Sequence, residues 1–322
     1  MRMKLMESLF RGDTRALARA ISLVEEGGKK AREIVQATYS RPLEAQIIGI
    51  TGPPGVGKST LVNGLIRKFR SRGKRVAVFA VDPSSTFSGG ALLGDRIRMS
   101  EHAGDPGVFI RSMATRGHSG GLARATADAV DLAAASGWNP ILIETLGTGQ
   151  DEIEVAGLAD PVLVVLMPGL GDDIQAIKAG LLEIADLFVI NKTDLPGGDR
   201  LERELGNSTS PILSEKTQPP LILKTVAVKD EGLDDLVHAL EEYRSRSGGD
   251  RRFRQAENRL LANLRDHILS DVIREARDAG NWGEIVRRLM ERSIDPYTAV
   301  ESIWNRLRES VPAGEKIGRK PE

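Results

Sequence analysis

Short apolar runs alternate with stretches of helical spacing from residue 46 to about residue 245. Seven of these runs are rich in aliphatic and β-branched residues: QIIGI, RVAVFAV, GVFIRSM, PILIETL, PVLVVLMP, LFVINKT and PLILKTVAV. Several are apolar almost throughout, which is typical of parallel strands that helices cover on both faces. Strands that alternate with helices predict an α/β fold built on a doubly wound, mostly parallel sheet.

The two ends of the chain carry a helical pattern instead. Near the N-terminus, in GDTRALARAISLVEEGG, Asp13 is a candidate N-cap and three apolar residues share one face: Leu17, Ile21 and Val24. The composition of SRSGGDRR, at 245–252, predicts a linker. Beyond it, an apolar stripe repeats every four residues: Leu260, Leu264, Ile268 and Val272. The pattern thus divides the chain into an N-terminal helical extension (1–45), a central α/β domain (46–248) and a C-terminal helical segment (249–322).

Charge, cysteine content and the length of apolar runs exclude several classes of protein. The 322 residues include 45 Lys and Arg against 45 Asp and Glu, so the net charge of zero gives no support for binding to nucleic acid or an anionic membrane. The chain has no cysteine, which excludes disulfides and thiolate metal sites and fits a reducing cytoplasm. The longest apolar run, PVLVVLMPG, is too short to span a bilayer. We therefore expect a cytoplasmic protein with neither a nucleic-acid nor a membrane partner.

A phosphate-binding motif follows the first predicted strand. The sequence GPPGVGKST matches the P-loop pattern G-x-x-x-x-G-K-[ST], with a strand before it and a helix after it. Backbone N–H groups of such a loop and the N-terminus of the helix bind phosphate, the lysine contacts the β- and γ-phosphates, and the hydroxyl of the following residue binds Mg²⁺. The predicted nucleotide-binding residues are Gly52, Pro53, Pro54, Gly55, Val56, Gly57, Lys58, Ser59 and Thr60.

A second motif predicts which base is bound. LFVINKTD ends a predicted strand with Asn191-Lys192-Thr193-Asp194. The Asp194 carboxylate can accept hydrogen bonds from N1–H and the 2-amino group of guanine, whereas adenine has neither donor there. Asn191 can brace the loop, and the stem of Lys192 can lie over the ring. At the next strand end, Ala227 is the expected backbone donor to the guanine oxygen.

Acidic residues at other strand ends are candidate metal ligands. Asp82 in VDPSS and Glu144 in ETLGTGQDE each follow a strand, at the edge where parallel sheets build their sites. Most GTPases have aspartate in a D-x-x-G motif where this chain has Glu144. Asp95, in GDRIRM, is a third candidate.

These motifs, taken in order, resemble the MeaB/ArgK GTPases, a family that includes the human methylmalonic aciduria type A protein. The resemblance covers nearly the whole chain and rests on GITGPPGVGKST, VDPSS, GGALLGDRIRM, ETLGTGQDE, GDDIQAIKAGLLEIAD and NKTD. It implies a Mg²⁺-dependent P-loop GTPase that cycles between GTP and GDP and forms a homodimer through its C-terminal helices. It also implies a chaperone of an adenosylcobalamin-dependent acyl-CoA mutase, one that gates cofactor loading and protects or reactivates the mutase.

The resemblance also assigns residues to roles. Lys58 and Ser59 match phosphate and magnesium positions, and Asn191 and Asp194 match base recognition. Three acidic residues match positions around the metal: Asp82, Asp95 and Glu144. Gln175 and Lys178, together with Asp172, match a segment that senses the mutase. The mutase itself stays open among methylmalonyl-, isobutyryl-, ethylmalonyl- and hydroxyisobutyryl-type enzymes.

Two other functions compete with this one. A small-molecule kinase linked to transport uses the same P-loop, but it needs a lid with arginines and has no need of N-K-x-D. A nickel-insertion GTPase requires cysteine or histidine ligands, and this chain has no cysteine and four scattered histidines. The sequence therefore favours the mutase chaperone.

Overall fold

The structure is a computed structural model of the chain. It describes residues 2–42, 44–82, 100–102, 104–114, 124–145, 155–169, 179–209, 220–246, 249–278, 280 and 282–310. Four residues with predicted roles lie outside these ranges: Asp95, Asp172, Gln175 and Lys178. Asp82 is described only by its backbone, as the last residue of a strand.

Three helices precede the first strand: α1 (Arg2–Phe10), α2 (Thr14–Glu26) and α3 (Gly28–Tyr39). The predicted N-cap is confirmed, because Asp13 Oδ1 accepts a hydrogen bond from the backbone N of Ala16 at 2.7 Å. The apolar face of α2 is buried, as its spacing predicts: Leu17, Ile21 and Val24. Gly27 then ends α2 with a positive φ of 77°, a backbone conformation that favours glycine.

Seven parallel strands form the sheet of the described residues. They are β1 (Ile47–Thr51), β2 (Val76–Asp82), β3 (Val108–Ala114), β4 (Ile141–Thr145), β5 (Val162–Leu166), β6 (Leu187–Ile190) and β7 (Leu221–Lys224). Their order is β3-β2-β4-β1-β5-β6-β7, and every neighbouring pair is parallel. Each of the seven apolar runs matches one strand, with ends that differ by at most one residue where the strand extends past the run, so the predicted parallel sheet is confirmed.

Helices cover both faces of this sheet. The helices that follow the strands are α4 (Lys58–Ser71), α5 (Arg124–Ala135), α6 (Ala179–Ile184), α7 (Gly198–Thr209) and α8 (Leu233–Arg246). Alternate strand residues belong to opposite cores. Ile48 and Ile50 of β1 pack with apolar residues of α4 and α8, whereas Ile47 packs in the core that includes α2 and α5. This arrangement confirms the doubly wound fold.

The position of β1 determines where a ligand binds. Strands β2 to β4 lie on one side of β1 and β5 to β7 lie on the other, so the chain changes direction at the middle of the sheet. In open parallel sheets, ligands bind at the carboxyl ends of the strands at this point. The carboxyl ends of β1, β4 and β6 therefore lie at one edge of the sheet. The predicted P-loop follows β1, Glu144 lies near the end of β4, and the N-K-x-D motif follows β6.

The C-terminal region is helical: α9 (Gly249–Asp278), α10 (Trp282–Met290) and α11 (Pro296–Ser310). The predicted linker at 245–252 is wrong where the structure describes it, because residues 245–246 end α8 and residues 249–252 begin α9. The arginines in this stretch are good helix formers, and they outweigh the turn composition of its neighbours. The chain divides into two compact units, 1–255 and 256–322. Among the described helices, none has the length and apolar character needed to span a membrane.

Candidate functional site

The P-loop connects β1 directly to α4, and its backbone conformation requires glycine at two positions. Gly52 has φ 138°, and a Cβ atom there would lie 2.2 Å from the carbonyl oxygen of Val165 on β5. Gly57 has φ 94°, and its Cβ would lie 2.5 Å from Asn191 Nδ2. Gly57 is also the N-cap of α4 and supplies no side-chain cap, so the first amides of the helix are left to bind an anion.

Lys58 is the first residue of α4 and is buried. Its ammonium group donates hydrogen bonds to the carbonyl oxygens of Gly52 at 2.7 Å and Pro53 at 2.9 Å. These bonds hold the positive charge within the P-loop itself. The arrangement offers a cation to an anionic ligand without any movement of α4.

A hydroxyl and a carboxylate meet beside the P-loop. Ser59 Oγ donates a hydrogen bond to Glu144 Oε1 at 2.6 Å, and Glu144 is almost fully buried at the carboxyl end of β4. A second buried hydrogen bond lies beside this one: Thr145, which follows Glu144 on β4, donates from Oγ1 to Oγ1 of Thr51, the last residue of β1, at 3.0 Å. Oxygen groups of this kind are the ligands that Mg²⁺ prefers, so the pair Ser59–Glu144 fits a magnesium ion.

Of the other two acidic candidates, Asp95 lies outside the described residues and Asp82 is described only by its backbone. The backbone of Asp82 pairs with Ala114 of β3 at the same edge of the sheet. The described residues contain no group of three or more histidine, aspartate or glutamate side chains that could hold a metal ion. Ser59 and Glu144 are therefore the predicted metal residues that the structure brings together.

Asn191 joins the P-loop to the loops on the base side. Its Nδ2 donates to the carbonyl oxygen of Val56 at 2.9 Å, and its Oδ1 accepts hydrogen bonds from Thr225 Oγ1 at 3.1 Å and from the backbone N of Ala227 at 3.0 Å. Asn191 and Ala227 are both buried. The backbone N–H that the sequence assigns to guanine thus donates to Asn191 in this structure.

The two remaining residues of the N-K-x-D motif differ in exposure. Lys192 has a left-handed backbone (φ 58°) and donates from Nζ to the carbonyl oxygen of Gly55 at 2.8 Å, so its stem crosses the P-loop. The side chain of Asp194 is 40 % exposed, and Asp194 Oδ2 lies 3.6 Å from Lys229 Nζ. The Asp194 carboxylate is therefore accessible to a nucleotide base and lies beside the positive charge of Lys229.

Comparison with known proteins identifies the family. The family described as Methylmalonyl Co-A mutase-associated GTPase MeaB matches residues 17–281. The chain belongs to the MeaB family. As a member of this family it is a P-loop GTPase, and the sequence-based resemblance is confirmed.

Individual relatives of this MeaB-family protein agree with the match. A protein from Pyrococcus abyssi is 46 % identical over 322 residues, which cover 97 % of each chain. The mouse protein named Methylmalonic aciduria type A homolog, mitochondrial, is 36 % identical over 259 residues, 74 % of this chain and 62 % of its own length. A crystal structure of an LAO/AO transport system kinase has the same fold, with a TM-score of 0.68 at 24 % identity, and covers 95 % of this chain and 97 % of its own.

Two residues that contact the predicted site of this MeaB-family GTPase are not predicted from the sequence: Thr225 and Lys229. Thr225 is buried and holds Asn191 through its hydroxyl, while its carbonyl oxygen accepts hydrogen bonds from Thr193 N and Thr193 Oγ1, both at 3.2 Å. Lys229 contacts Asp194 from the same loop. The only indication of these two residues in the sequence is their position: each lies two residues from Ala227, which is predicted to contact the guanine base.

Proposed function

We propose that this GTPase depends on Mg²⁺ and acts as a chaperone of an adenosylcobalamin-dependent acyl-CoA mutase. In this role it gates cofactor loading and protects or reactivates the mutase. The observation that supports guanine-nucleotide binding is the position of the Asn191 carboxamide, which contacts the P-loop at Val56 and the loop at Ala227 on the side of the predicted base. Support for the mutase as partner comes from the description of the family and from the name of the mouse relative.

In this proposal the P-loop binds the phosphates of GTP. Its backbone amides and the uncapped N-terminus of α4, at Ser59 and Thr60, face the β-phosphate. Lys58 exchanges its bonds to Gly52 and Pro53 for bonds to phosphate oxygens. Phosphoryl transfer needs positioning and electrostatic stabilisation more than covalent chemistry, and a buried ammonium supplies both.

Ser59 and Glu144 are the residues that would hold Mg²⁺, with Asp82 and Asp95 as further acidic candidates. When bound, the ion neutralises charge on the phosphate oxygens. The protein's own part is to orient its ligands. The 2.6 Å hydrogen bond between Ser59 and Glu144 holds the hydroxyl and the carboxylate close together, and the burial of Glu144 excludes water from one side.

Base recognition rests on Asp194 and Asn191. Asp194 accepts hydrogen bonds from the guanine edge because its carboxylate is accessible, and Lys229 at 3.6 Å keeps a positive charge beside it. Lys192 crosses the P-loop, so its stem can cover one face of the purine. Ala227 N–H is shared between Asn191 and the guanine oxygen.

Coupling to the mutase is assigned to Gln175 and Lys178, on grounds of sequence. The two residues are three apart, and in a helix they share a face. A mutase that binds the state with Lys178 near the phosphates shifts the population towards that state and accelerates hydrolysis. Because coupling between two binding sites is reciprocal, the nucleotide must also change the affinity for the mutase.

The test of the proposed function is GTP hydrolysis with and without the acyl-CoA mutase encoded in the same genome. We expect the mutase to accelerate hydrolysis by wild-type protein. Gln175→Ala and Lys178→Ala should retain intrinsic hydrolysis and mutase binding but lose the acceleration and the nucleotide control of cobalamin loading. Lys29→Ala, at an exposed lysine of α3, is the control for charge removal. Full acceleration of both variants would remove the segment from the mechanism, and no acceleration of wild type would refute the chaperone role.

We also propose a homodimer through the C-terminal segment. In this arrangement residues 46–248 form the nucleotide-binding domain, residues 1–45 cover one face of its sheet, and residues 249–322 carry the dimer contact. The support is the apolar stripe of α9, whose leucines and isoleucine stay about half exposed or more in the single chain: Leu260 67 %, Leu264 50 % and Ile268 48 %. A contiguous apolar face of this kind marks an interaction surface.

Replacing Leu260 and Leu264 together with aspartate should therefore convert the protein to a monomer, because two charges would have to be buried in the interface. Sedimentation equilibrium at micromolar concentration measures the change. The matched control is Asn258→Asp, at an exposed residue of the same helix that does not belong to the apolar stripe. Wild-type protein that sedimented as a monomer would refute the dimer.

A further inference from the structure

Arg67, in the middle of α4, contacts carboxylates from two different segments. Its Nη2 donates to Asp230 Oδ1 at 2.5 Å and its Nη1 donates to Glu101 Oε1 at 2.9 Å. The hydrogen bond with Asp230, more than any other contact, raises the pKa of Arg67. The guanidinium therefore stays charged at every relevant pH, and the helix that begins at the P-loop is tied to the segment around Asp230.

Asp230 belongs to the loop at 227–232, which forms the base side of the site. The loop begins with a short 3-10 turn at Ala227–Lys229, and Asp230 follows in a left-handed conformation with φ 58°. Gly232 is also left-handed, and a Cβ atom there would lie 2.1 Å from the carbonyl oxygen of Lys224. A non-glycine residue in this conformation needs its surroundings to hold it, and the bond to Arg67 is one such contact.

The loop supplies two of the groups that surround the predicted base position. The N–H of Ala227 donates to Asn191 at 3.0 Å, and Lys229 Nζ lies 3.6 Å from Asp194. A shift of the loop would move both groups relative to Asn191 and Asp194. The position of the base-side groups thus depends on how firmly the loop is held against α4.

Two nearby cations, Lys68 on α4 and Arg72 directly after its last residue, make different contacts. Lys68 pairs with Asp234 at 2.6 Å and Arg72 pairs with Glu241 at 2.9 Å, and both of these acids lie on α8. These pairs join helix to helix and do not touch the loop at 227–232. Lys68 is therefore a natural control for the loss of one positive charge from α4.

We propose that Arg67 is a positioning residue for guanine recognition, which holds the loop at 227–232 against the P-loop helix through Asp230. The inference rests on the proposed recognition of guanine by Asp194 and Asn191. Arg67 lies on α4 but outside the P-loop motif, so the inference gives this helix a role in base binding in addition to the phosphate binding at its N-terminus. The phosphate end of the nucleotide is bound by groups that Arg67 does not contact, so its binding should be independent of this residue.

The experiment compares GDP release with binding of inorganic tripolyphosphate, a ligand without base or ribose. In Arg67→Ala and in Asp230→Asn, we expect GDP to dissociate about three- to tenfold faster, the scale of losing a charge-assisted hydrogen bond at a partly exposed site. The KM for GTP should rise in parallel while kcat changes by less than about twofold, because only binding of the base is affected. Inhibition by tripolyphosphate should be unchanged, and Arg67→Lys should restore part of the loss.

Three results would overturn the role of Arg67, and a fourth would overturn guanine recognition itself. Wild-type GDP release in Arg67→Ala, or an equal effect from Lys68→Ala, would overturn the inference. An equal loss of tripolyphosphate binding would also overturn it, since the damage would then lie in α4 as a whole. If the wild-type protein bound ADP as tightly as GDP, the proposed guanine recognition would itself be wrong; failure of the Arg67 variants alone leaves that recognition intact.

Discussion

Replacing Lys58 with alanine is expected to lower kcat/KM for GTP by at least about a hundredfold, the typical loss on removing one preorganised charge or donor from a transition state. The ammonium group is buried in the P-loop and is held by two carbonyl oxygens, so it meets the phosphates with little reorganisation. Single-turnover hydrolysis of GTP, measured with and without Mg²⁺, tests this expectation.

The control for Lys58→Ala is Lys68→Ala, which removes the same charge from the same helix at a site that pairs with Asp234. We expect its hydrolysis rate to be close to that of wild type. Circular dichroism should show that both variants are folded. A folded Lys58→Ala protein that hydrolysed GTP at the wild-type rate would exclude this P-loop as the catalytic site.

Asp194→Asn should reverse the preference of the site among purines. Binding of GTP should weaken by about 2 to 3 kcal/mol, because a charge-assisted contact to two N–H donors is lost. Binding of xanthosine triphosphate should improve, since xanthine presents an acceptor where guanine has its 2-amino group and the new amide can donate to it. Isothermal titration calorimetry with GTP, xanthosine triphosphate and ATP measures all three affinities.

A matched control for Asp194→Asn is Asp199→Asn, at an exposed carboxylate that pairs with Lys224 at 2.7 Å. It should leave the order of the three affinities unchanged. Lys229 contributes to the expected effect, because its ammonium lies 3.6 Å from the carboxylate that the substitution removes. If wild-type protein bound ATP as tightly as GTP, Asp194 would not be the residue that recognises the base.

The fold could be predicted because each strand is marked by its own local sequence pattern. Each strand is a nearly continuous apolar run, since parallel strands buried on both faces need no polar alternation. The P-loop and N-K-x-D motifs lie at the same edge of the sheet for a similar reason: each directly follows a strand, and the carboxyl ends of parallel strands meet at one edge. From this rule alone, Ser59 and Glu144 are expected to be close, and the structure has them 2.6 Å apart.

What could not be predicted depends on contacts between distant segments. Thr225 and Lys229 have no motif of their own, and their roles follow only from their distances to Asn191 and Asp194. The ion pair between Arg67 and Asp230 joins residues 163 positions apart, and nothing in either local sequence marks the pairing. The predicted linker at 245–252 is wrong, where the structure describes it, for a different reason: the helix propensity of the arginines outweighs the turn-forming composition there.

The buried carboxamide of Asn191 has a consequence for how this protein can evolve. Because one side chain contacts both the P-loop and the loop that carries Ala227, a substitution there disturbs two halves of the site at once. We therefore expect a change of nucleotide preference to arise more readily at Asp194, whose side chain is 40 % exposed and pairs with Lys229. Descendants with a changed purine preference should retain Asn191 and vary at Asp194.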